Sequence, residues 1–213
     1  SYFVRADGAV DRSIKDGKIE STIAAPGSKT KYIDASAGSE ATYLLRDDGK
    51  IDRTKGQGEI SATMACSEEG VAYVAISQQA MGSASDKHNT ITYQSYFVRS
   101  DGKVDKTKGG AIIQYTIESE FGPYIAASSG NSASYLLRAD GAVDRIVSGG
   151  KIDSTINPRP GTQYTHVGAG IGCSYFILSD GTAGRTTGGG KVSSSIQPVP
   201  IGFEATSGGC SIM

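Results

Sequence analysis

Apolar and polar residues alternate in short runs along the chain, and one such pattern returns five times. The first copy, residues 1–12, reads SYFVRADGAVDR, and similar segments begin at Thr42, Ser95, Ser134 and Ser174. The tyrosines that lead the copies are residues 2, 43, 96, 135 and 175, so their spacings are 41, 53, 39 and 40 residues. A period of this length indicates a repeat architecture in which each copy forms one small structural unit.

Each copy predicts four short β-strands. The Tyr-led run, the Asp-Gly pair and the following short apolar run form a hairpin signal. A three-residue loop such as Ala6-Asp7-Gly8 pairs Val4 with Val10, whereas a two-residue loop would place each aliphatic opposite an Asp. We therefore expect the three-residue loop. A Gly-rich link then leads to a further strand such as residues 151–156, and a strand of small residues such as 124–128 precedes the next copy.

The predicted hairpin register also places an Arg diagonal to an Asp on one face of the sheet. In the first copy these residues are Arg5 and Asp11, and the next three copies keep both residues. In the fifth copy both are replaced, by Leu178 and Gly184. The joint replacement indicates a structural ion pair and not a binding site.

Four strands in about 40 residues is the size of a propeller blade. The small-residue strand suits the innermost position, where blades crowd the axis. The last such strand, 203–207, lacks a following hairpin, and the first hairpin lacks an inner strand. The sequence therefore predicts an all-β fold over residues 1–213: a single closed propeller of five four-stranded blades, with one blade completed by both chain ends, which leaves no exposed edges.

Residues 124–143, YIAASSGNSASYLLRADGAV, resemble the repeat of the regulator-of-chromosome-condensation family of β-propellers. Those repeats share a small-residue strand ending in Gly, a short apolar strand, Asp-Gly and a Val-led strand. This chain departs from the family in having no Trp, no Trp-Gly-x-Asn segment, and five units instead of the usual seven. The resemblance implies a binding role, such as scaffold, small-GTPase exchange factor, ubiquitin-ligase module or protein inhibitor, and it assigns no functional residue.

Composition and charge exclude several classes of protein. The 29 glycines have places in the repeat, in the Asp-Gly turns, the links and the ends of the inner strands. A net charge of -1 gives no general electrostatic reason to bind nucleic acid, so no nucleic-acid partner is expected. Three cysteines, Cys66, Cys173 and Cys210, cannot all pair with one another, which favours a cytoplasmic location. No cofactor is indicated, and the oligomeric state stays open.

The third copy carries an insertion, residues 78–90, between its inner strand and its hairpin. Loops on rigid scaffolds often carry function. The candidate partner-binding residues are Gln79, Met81, Asp86, Lys87, His88 and Asn89. The alternative is a tolerated surface excursion, because long loops cost little closure entropy. A metal site is not indicated, since His88 has a single carboxylate nearby in sequence.

Two inner-strand residues are candidates for lining the central channel. His166 stands where the other copies have Asp34, Ala75, Ala126 and Ala205. We expect His166 and Asp34 to face the channel. His166 would then act either as a ligand-binding group or as a hydrogen-bonded lining residue.

The chain ends in Cys210-Ser-Ile-Met213, which matches the pattern expected for farnesylation of Cys210. A farnesyl group would bring a peripheral membrane contact, although one lipid chain alone binds weakly and no polybasic run precedes it. The alternative is that this segment is only the loop before a repeat's Tyr position. An intact mass of the protein from its own cells distinguishes the two.

No Cys–His or Ser–His–Asp arrangement is evident, so we expect no enzyme activity. The sequence favours a non-catalytic propeller that binds a protein partner through one rim. This rim, here named the link rim, carries the ends of the inner strands and the links between third and fourth strands, and hence the insertion and Cys210. The alternatives are a carbohydrate-binding propeller with equivalent pockets between blades, whose connections here differ in sequence, and a small-GTPase exchange factor.

Overall fold

Alternating runs and glycine-marked turns form 21 β-strands among the residues that the computed structural model describes. It describes residues 1–14, 17–38, 41–55, 58–78, 94–108, 111–130, 133–147, 150–170, 173–186 and 191–197, and the backbone of 83–85 and 90–92. Blade 1 contains β1 (Tyr2–Val4), β2 (Val10–Ser13) and β3 (Ile19–Ile23). Blade 2 contains β4 (Tyr32–Ala37), β5 (Thr42–Arg46), β6 (Ile51–Lys55) and β7 (Glu59–Met64).

The remaining strands form three further blades and one small hairpin. Blade 3 contains β8 (Tyr73–Gln78), β11 (Gln94–Arg99), β12 (Val104–Lys108) and β13 (Ile113–Ile117). The hairpin of β9 (Ser83–Ser85) and β10 (Thr90–Thr92) lies between β8 and β11 in sequence. Blade 4 contains β14 (Tyr124–Ser129), β15 (Ser134–Arg138), β16 (Val143–Ile146) and β17 (Ile152–Ile156). Blade 5 contains β18 (Tyr164–Ala169), β19 (Ser174–Leu178), β20 (Ala183–Thr186) and β21 (Val192–Ile196).

Blades 2 to 5 are four-stranded antiparallel sheets, and blade 1 has three strands among the described residues. The small-residue strands β4, β8, β14 and β18 lie at one edge of their sheets and contact one another in that order. This arrangement confirms the all-β fold and the inner place of the small-residue strands. The segment predicted to complete blade 1, residues 203–207, lies outside the described residues, so closure of the ring stays a prediction.

The turns within the hairpins have the predicted three-residue geometry. Val4 pairs with Val10, and the equivalent pairs recur in blades 2, 3 and 4. Gly8 has a φ of 84°, a left-handed conformation that favours glycine. The Asp before it accepts a hydrogen bond from the backbone N–H two residues on; in blade 1 the Ala9 N–H donates to the Asp7 carboxylate at 3.1 Å. The Asp-Gly pair therefore fixes both the loop and the register of each hairpin.

The hairpin turns of blades 1 to 4 are also bonded to the next blade. The carbonyl oxygen of Gly8 in blade 1 accepts a hydrogen bond from the backbone N–H of Tyr32 in blade 2, at 3.1 Å. Gly49, Gly102 and Gly141 accept equivalent bonds from Tyr73, Tyr124 and Tyr164 at 2.8–3.0 Å. We call these four bonds the turn clamps. They join successive blades at the rim that carries the turns.

The hydrophobic core lies between neighbouring blades. Between blades 4 and 5, Tyr135 and Leu137 pack against Tyr164 and Phe176. The rings of Tyr135 and Phe176 meet edge to face with centroids 5.0 Å apart, a favourable aromatic geometry. Equivalent residues form the cores between the other neighbouring blades. From blade 1 to blade 5, one face of each blade therefore packs on the opposite face of the blade that follows it in sequence.

The predicted Arg–Asp pair exists in four blades, at 3.4–3.8 Å. In blades 2 to 4 it belongs to a larger, mostly buried network. In blade 4 the Asp144 carboxylate also accepts hydrogen bonds from the Tyr124 hydroxyl at 2.8 Å and the Thr155 hydroxyl at 2.7 Å. The Arg138 guanidinium makes a shorter ion pair with the turn residue Asp140, at 2.5 Å. Burial, followed by the hydrogen bond to Asp144, raises the pKa of the Tyr124 hydroxyl.

Candidate interaction surface

The insertion folds as its own small hairpin on the link rim of blade 3. Strands β9 and β10 are antiparallel, and Ser85 pairs with Thr90. They follow the end of β8 and precede β11, as the position of the insertion in the repeat predicts. The described part of the insertion is therefore a paired β-structure that follows the inner strand β8 in sequence.

Most of the predicted site residues lie outside the described side chains. These are Gln79, Met81, Asp86, Lys87, His88 and Asn89, and also Cys210. Their assignment to partner binding, and the farnesylation of Cys210, stay predictions. The residues that anchor the insertion are described, and they show how firmly its base is held.

Gln78, the last residue of β8, anchors the first end of the insertion. It is buried, and its backbone N–H donates a hydrogen bond of 2.9 Å to the Ser36 hydroxyl of blade 2. Its side chain fills the space beside Gly38, where an added Cβ would lie 2.5 Å from it. The insertion thus starts directly after Gln78, a residue packed between blades 2 and 3. The sequence did not predict this packing.

Serine hydroxyls tie the inner strands together at this rim. The Ser77 hydroxyl in blade 3 accepts a hydrogen bond of 2.8 Å from the backbone N–H of Ser129 in blade 4. The Ser128 hydroxyl accepts an equivalent bond of 2.8 Å from the backbone of Ala169 in blade 5. Together with the bond from Gln78 to Ser36, these ties link four successive blades. The rim is therefore a rigid base for surface side chains.

The two predicted channel residues are both exposed on inner strands. Asp34 accepts a 2.8 Å hydrogen bond from the backbone of Ala35, and His166 Nδ1 lies 3.2 Å from the Thr165 hydroxyl. Desolvation raises the pKa of Asp34 although water reaches it, as expected for a carboxylate among the inner strands. The structure places the two residues in blades 2 and 5, which are not neighbours, so it does not bring them together.

Lysines and aliphatic residues recur at the links between third and fourth strands. Lys18, Lys55, Lys151 and Lys191 are exposed at this position in four blades. Three of them directly precede an exposed aliphatic residue at the start of a fourth strand: Ile19, Ile152 and Val192, which are 52, 43 and 40 % exposed. Sequence reasoning missed this surface because these lysines are far apart along the chain. Aligning the five links would have revealed it.

The opposite rim, here named the turn rim, carries the five Asp-Gly turns and the connections between blades. Its exposed acidic residues include Asp7, Asp48, Asp101, Asp140 and Asp180 in the turns, and Glu68, Glu69, Glu118 and Glu120 in the connections. An open cleft of about 350 Å³ lies between the turn of blade 3 and the connection that follows it. Some of the charge is paired, as in the Lys103–Glu118 contact of 2.6 Å. The turn rim is therefore rich in exposed acidic residues, although Lys29, Lys31 and Lys50 are exposed there as well.

Among the described residues, no group of three or more His, Cys, Asp or Glu side chains is placed to hold a metal ion. Within the same residues, no helix is long and apolar enough to span a membrane. The environments of three turn carboxylates stabilise the charged form, and the pKa values of Asp101, Asp140 and Asp180 are lowered. Hydrogen bonds from backbone and Arg groups explain this, so the shifts belong to turn structure.

Comparison with known proteins finds similarity in structure only. No protein-family model matches the sequence, and no curated protein matches it. Among solved structures, yeast RCC1 (Prp20) bound to Kap60 is similar with a TM-score of 0.59 and 10 % identity, over 87 % of this chain and 53 % of that one. U3-55K is similar with a TM-score of 0.66 and 12 % identity, over 87 % of this chain and 57 % of that one.

An enzyme is also among the similar structures. A catalytically inactive virginiamycin B lyase from Staphylococcus aureus, with quinupristin, has a TM-score of 0.61 and 18 % identity, over 89 % of this chain and 67 % of that one. This chain thus spans between about half and two thirds of the length of these structures. At such identities the similarity concerns the fold alone. The chain therefore has a β-propeller fold like that of RCC1, as its repeats predicted.

Proposed function

We propose that this chain is a non-catalytic propeller that binds a protein partner through the insertion on its link rim. The insertion itself carries the proposal. Among the described residues, blade 3 alone has an extra hairpin between its inner strand, β8, and the next strand of its sheet, β11. Its base is held by Gln78 and by the serine ties. A short paired element on a rigid base loses little conformational entropy on binding, which favours specific recognition.

The comparisons support this proposal by analogy. The structure of yeast RCC1 was solved with Kap60, so a similar propeller binds a protein. The similar virginiamycin B lyase represents the opposing class, an enzyme built on the same fold. Fold alone does not decide between them. The lack of a Cys–His or Ser–His–Asp pattern in the sequence favours the binding role.

We also infer that the ring closes through residues 203–207, which would supply the inner strand of blade 1. Exposure of the two end blades supports this inference. Phe3 of blade 1 is 55 % exposed, whereas Phe97 and Phe176 at the equivalent place are fully buried. Tyr175 of blade 5 is 41 % exposed, whereas Tyr135 is 3 % exposed. Packing the open face of blade 5 on that of blade 1 would cover these apolar groups as in every other junction.

Exchanging the insertion for a short loop tests the binding role. Replacing residues 79–94 by the GNSA segment that occupies 130–133 in blade 4 would give blade 3 the connection its neighbour has. We expect thermal stability to change little, because Gln78 and Ser95 still pair at the base. Tagged wild-type and variant proteins would be used for quantitative affinity purification from the native cells. The interacting protein should be enriched by wild type and lost with the variant.

A second variant and a control separate binding from folding. Alanine at Met81, Asp86, Lys87 and His88 leaves the insertion at full length and should also abolish enrichment. The control exchanges residues 130–133 of blade 4 for the GIGC segment of 170–173 in blade 5. Enrichment that survives in both insertion variants, or that is lost equally in the control, contradicts the proposal.

A further inference from the structure

The link rim presents the same two-residue unit on three blades: a lysine followed by a β-branched aliphatic residue. The units are Lys18-Ile19, Lys151-Ile152 and Lys191-Val192, and all six side chains are exposed. Each unit lies where the link enters the fourth strand, so the topology places all three on one rim. Within the described part of the chain, these lysines form no ion pair.

Neighbouring arginines in two of these three blades, by contrast, are paired with carboxylates. Arg12 pairs with Glu20 in blade 1, and Arg145 pairs with Asp153 in blade 4. On the link rim of blades 1 and 4, the lysines Lys18 and Lys151 are therefore exposed while the neighbouring arginines are paired. Each link lysine lies beside an exposed aliphatic side chain in sequence.

A lysine next to an aliphatic group is suited to the boundary between lipid headgroups and acyl chains. The ammonium group contacts anionic headgroups while the aliphatic side chain enters the apolar layer. Units spaced around a rim match a flat surface better than a groove, which would require them to converge. The acidic turn rim faces away from that surface, so the distribution of charge also orients the molecule.

We propose that the link rim of blades 1, 4 and 5 binds an anionic phospholipid surface through Lys18, Lys151 and Lys191 with their aliphatic neighbours. The site is absent from any single stretch of sequence, because the fold assembles it from three repeats. It requires neither the insertion nor Cys210. If Cys210 carries a farnesyl group, the lysines would supply the second signal that stable anchoring needs.

Sedimentation with vesicles tests this proposal on the unlipidated full-length chain. The vesicles contain phosphatidylcholine alone, or phosphatidylcholine with about 30 % phosphatidylserine to give an anionic surface. We expect wild type to bind the anionic vesicles only, and to release as salt is raised. Lys18→Gln, Lys151→Gln and Lys191→Gln together should weaken binding about a hundredfold, since each lysine near such a surface contributes about fivefold.

Two further variants test whether binding depends on the link-rim lysines or only on the net charge of the chain, and whether the aliphatic side chains contribute. Lys29→Gln, Lys31→Gln and Lys50→Gln remove the same charge from exposed positions of the turn rim and should leave binding within about twofold. Ile19→Ser, Ile152→Ser and Val192→Ser should weaken binding while the salt dependence remains.

Equal losses in the two lysine variants would overturn the proposal, because binding would then follow net charge. A wild-type chain that ignores anionic vesicles would also overturn it. If the link-rim lysine variant then aggregates, the lysines protect exposed edge strands against pairing with other chains. Failure of the insertion exchange, described above, leaves this proposal untouched, because the two surfaces lie on different blades.

Discussion

Blades 4 and 5 have the same backbone but different interiors. In both, four antiparallel strands follow the same order, and Leu137 pairs with Val143 as Ile177 pairs with Ala183. Blade 4 buries the network of Arg138, Asp144, Tyr124 and Thr155. Blade 5 has Leu178 and Gly184 in place of the Arg and the Asp, and Arg159 takes over pairing with the turn residue Asp180.

The difference shows which interactions determine the blade. Both blades keep the three-residue turn. The edge-to-face contact of Tyr135 with Phe176 and the hydrogen bond from the Ala169 backbone to the Ser128 hydroxyl join the two blades to each other. The charged network is therefore not required for the backbone of blade 5. A blade can lack the charged network, provided that the Arg and the Asp are both replaced, as they are by Leu178 and Gly184 in blade 5. A buried ion pair is costly to break and often neutral to replace entirely, which explains why the two substitutions occur together in blade 5.

Truncating the leading tyrosine should give the largest effect and test ring closure. Tyr135→Ala removes a ring packed on Phe176 and should lower the free energy of unfolding by about 4 kcal/mol. Tyr175→Ala should cost a similar amount if blade 5 packs on blade 1 in a closed ring. Urea unfolding of both variants measures the two losses. A loss below about 0.5 kcal/mol for Tyr175→Ala, typical of a surface site, would contradict closure.

Removing the buried carboxylate of blade 4 should have the next largest effect. Asp144→Ala leaves the Tyr124 and Thr155 hydroxyls without their acceptor and should cost about 3 kcal/mol. Adding Arg138→Leu gives blade 4 an uncharged interior like that of blade 5. A double-mutant cycle measured by urea unfolding should then show a double variant that loses less than the sum of the single losses. Strict additivity would show that Arg138 and Asp144 are not a unit.

The smallest expected effect concerns pH and the turn carboxylates. The hydrogen bond from Arg138 lowers the pKa of Asp140 below its ordinary value of 3.8. A carboxylate with a lowered pKa stabilises the folded state at pH values above its ordinary pKa. This contribution to the free energy of unfolding is lost as the pH falls through the pKa of the folded state. The stability gap between wild type and Asp140→Asn, below about 1 kcal/mol at pH 6, should therefore shrink toward pH 3. A gap that stays constant with pH would show that charge at Asp140 does not matter.

Blade 5 offers the matched control for this titration. The backbone hydrogen bond from Thr182, with the Arg159 contact, lowers the pKa of Asp180 in the same direction. Asp180→Asn should therefore show the same trend with pH, although Leu178 replaces the Arg of blade 4. Urea unfolding at each pH would follow both variants.

Much of the fold was predictable because local rules fix it. An Asp-Gly pair between alternating runs determines the turn, and the turn determines that Val4 pairs with Val10 and Arg5 approaches Asp11. The tyrosine partner was not predictable in this way. Tyr124 reaches Asp144 across the intervening strand β15, and sequence periodicity alone does not report such a contact between non-adjacent strands.

The candidate surfaces were predictable only in part. The insertion is visible as a longer interval between copies, so its place on blade 3 followed from spacing. The link lysines lie in separate repeats, and their common surface emerges only when the strand order assigns every link to the same rim. The buried role of Gln78 depends on a contact with Gly38 in another blade, which no local pattern contains.

The turn clamps give the molecule a built-in set of reporters. The backbone N–H groups of Tyr32, Tyr73, Tyr124 and Tyr164 each donate to a glycine of the preceding blade, not to their own sheet. Hydrogen–deuterium exchange at these four amides therefore monitors the separation of one blade from the next. Exchange within β5, β11, β15 and β19 monitors the opening of single sheets. Comparing the two sets would show whether the propeller unfolds as one cooperative body or blade by blade.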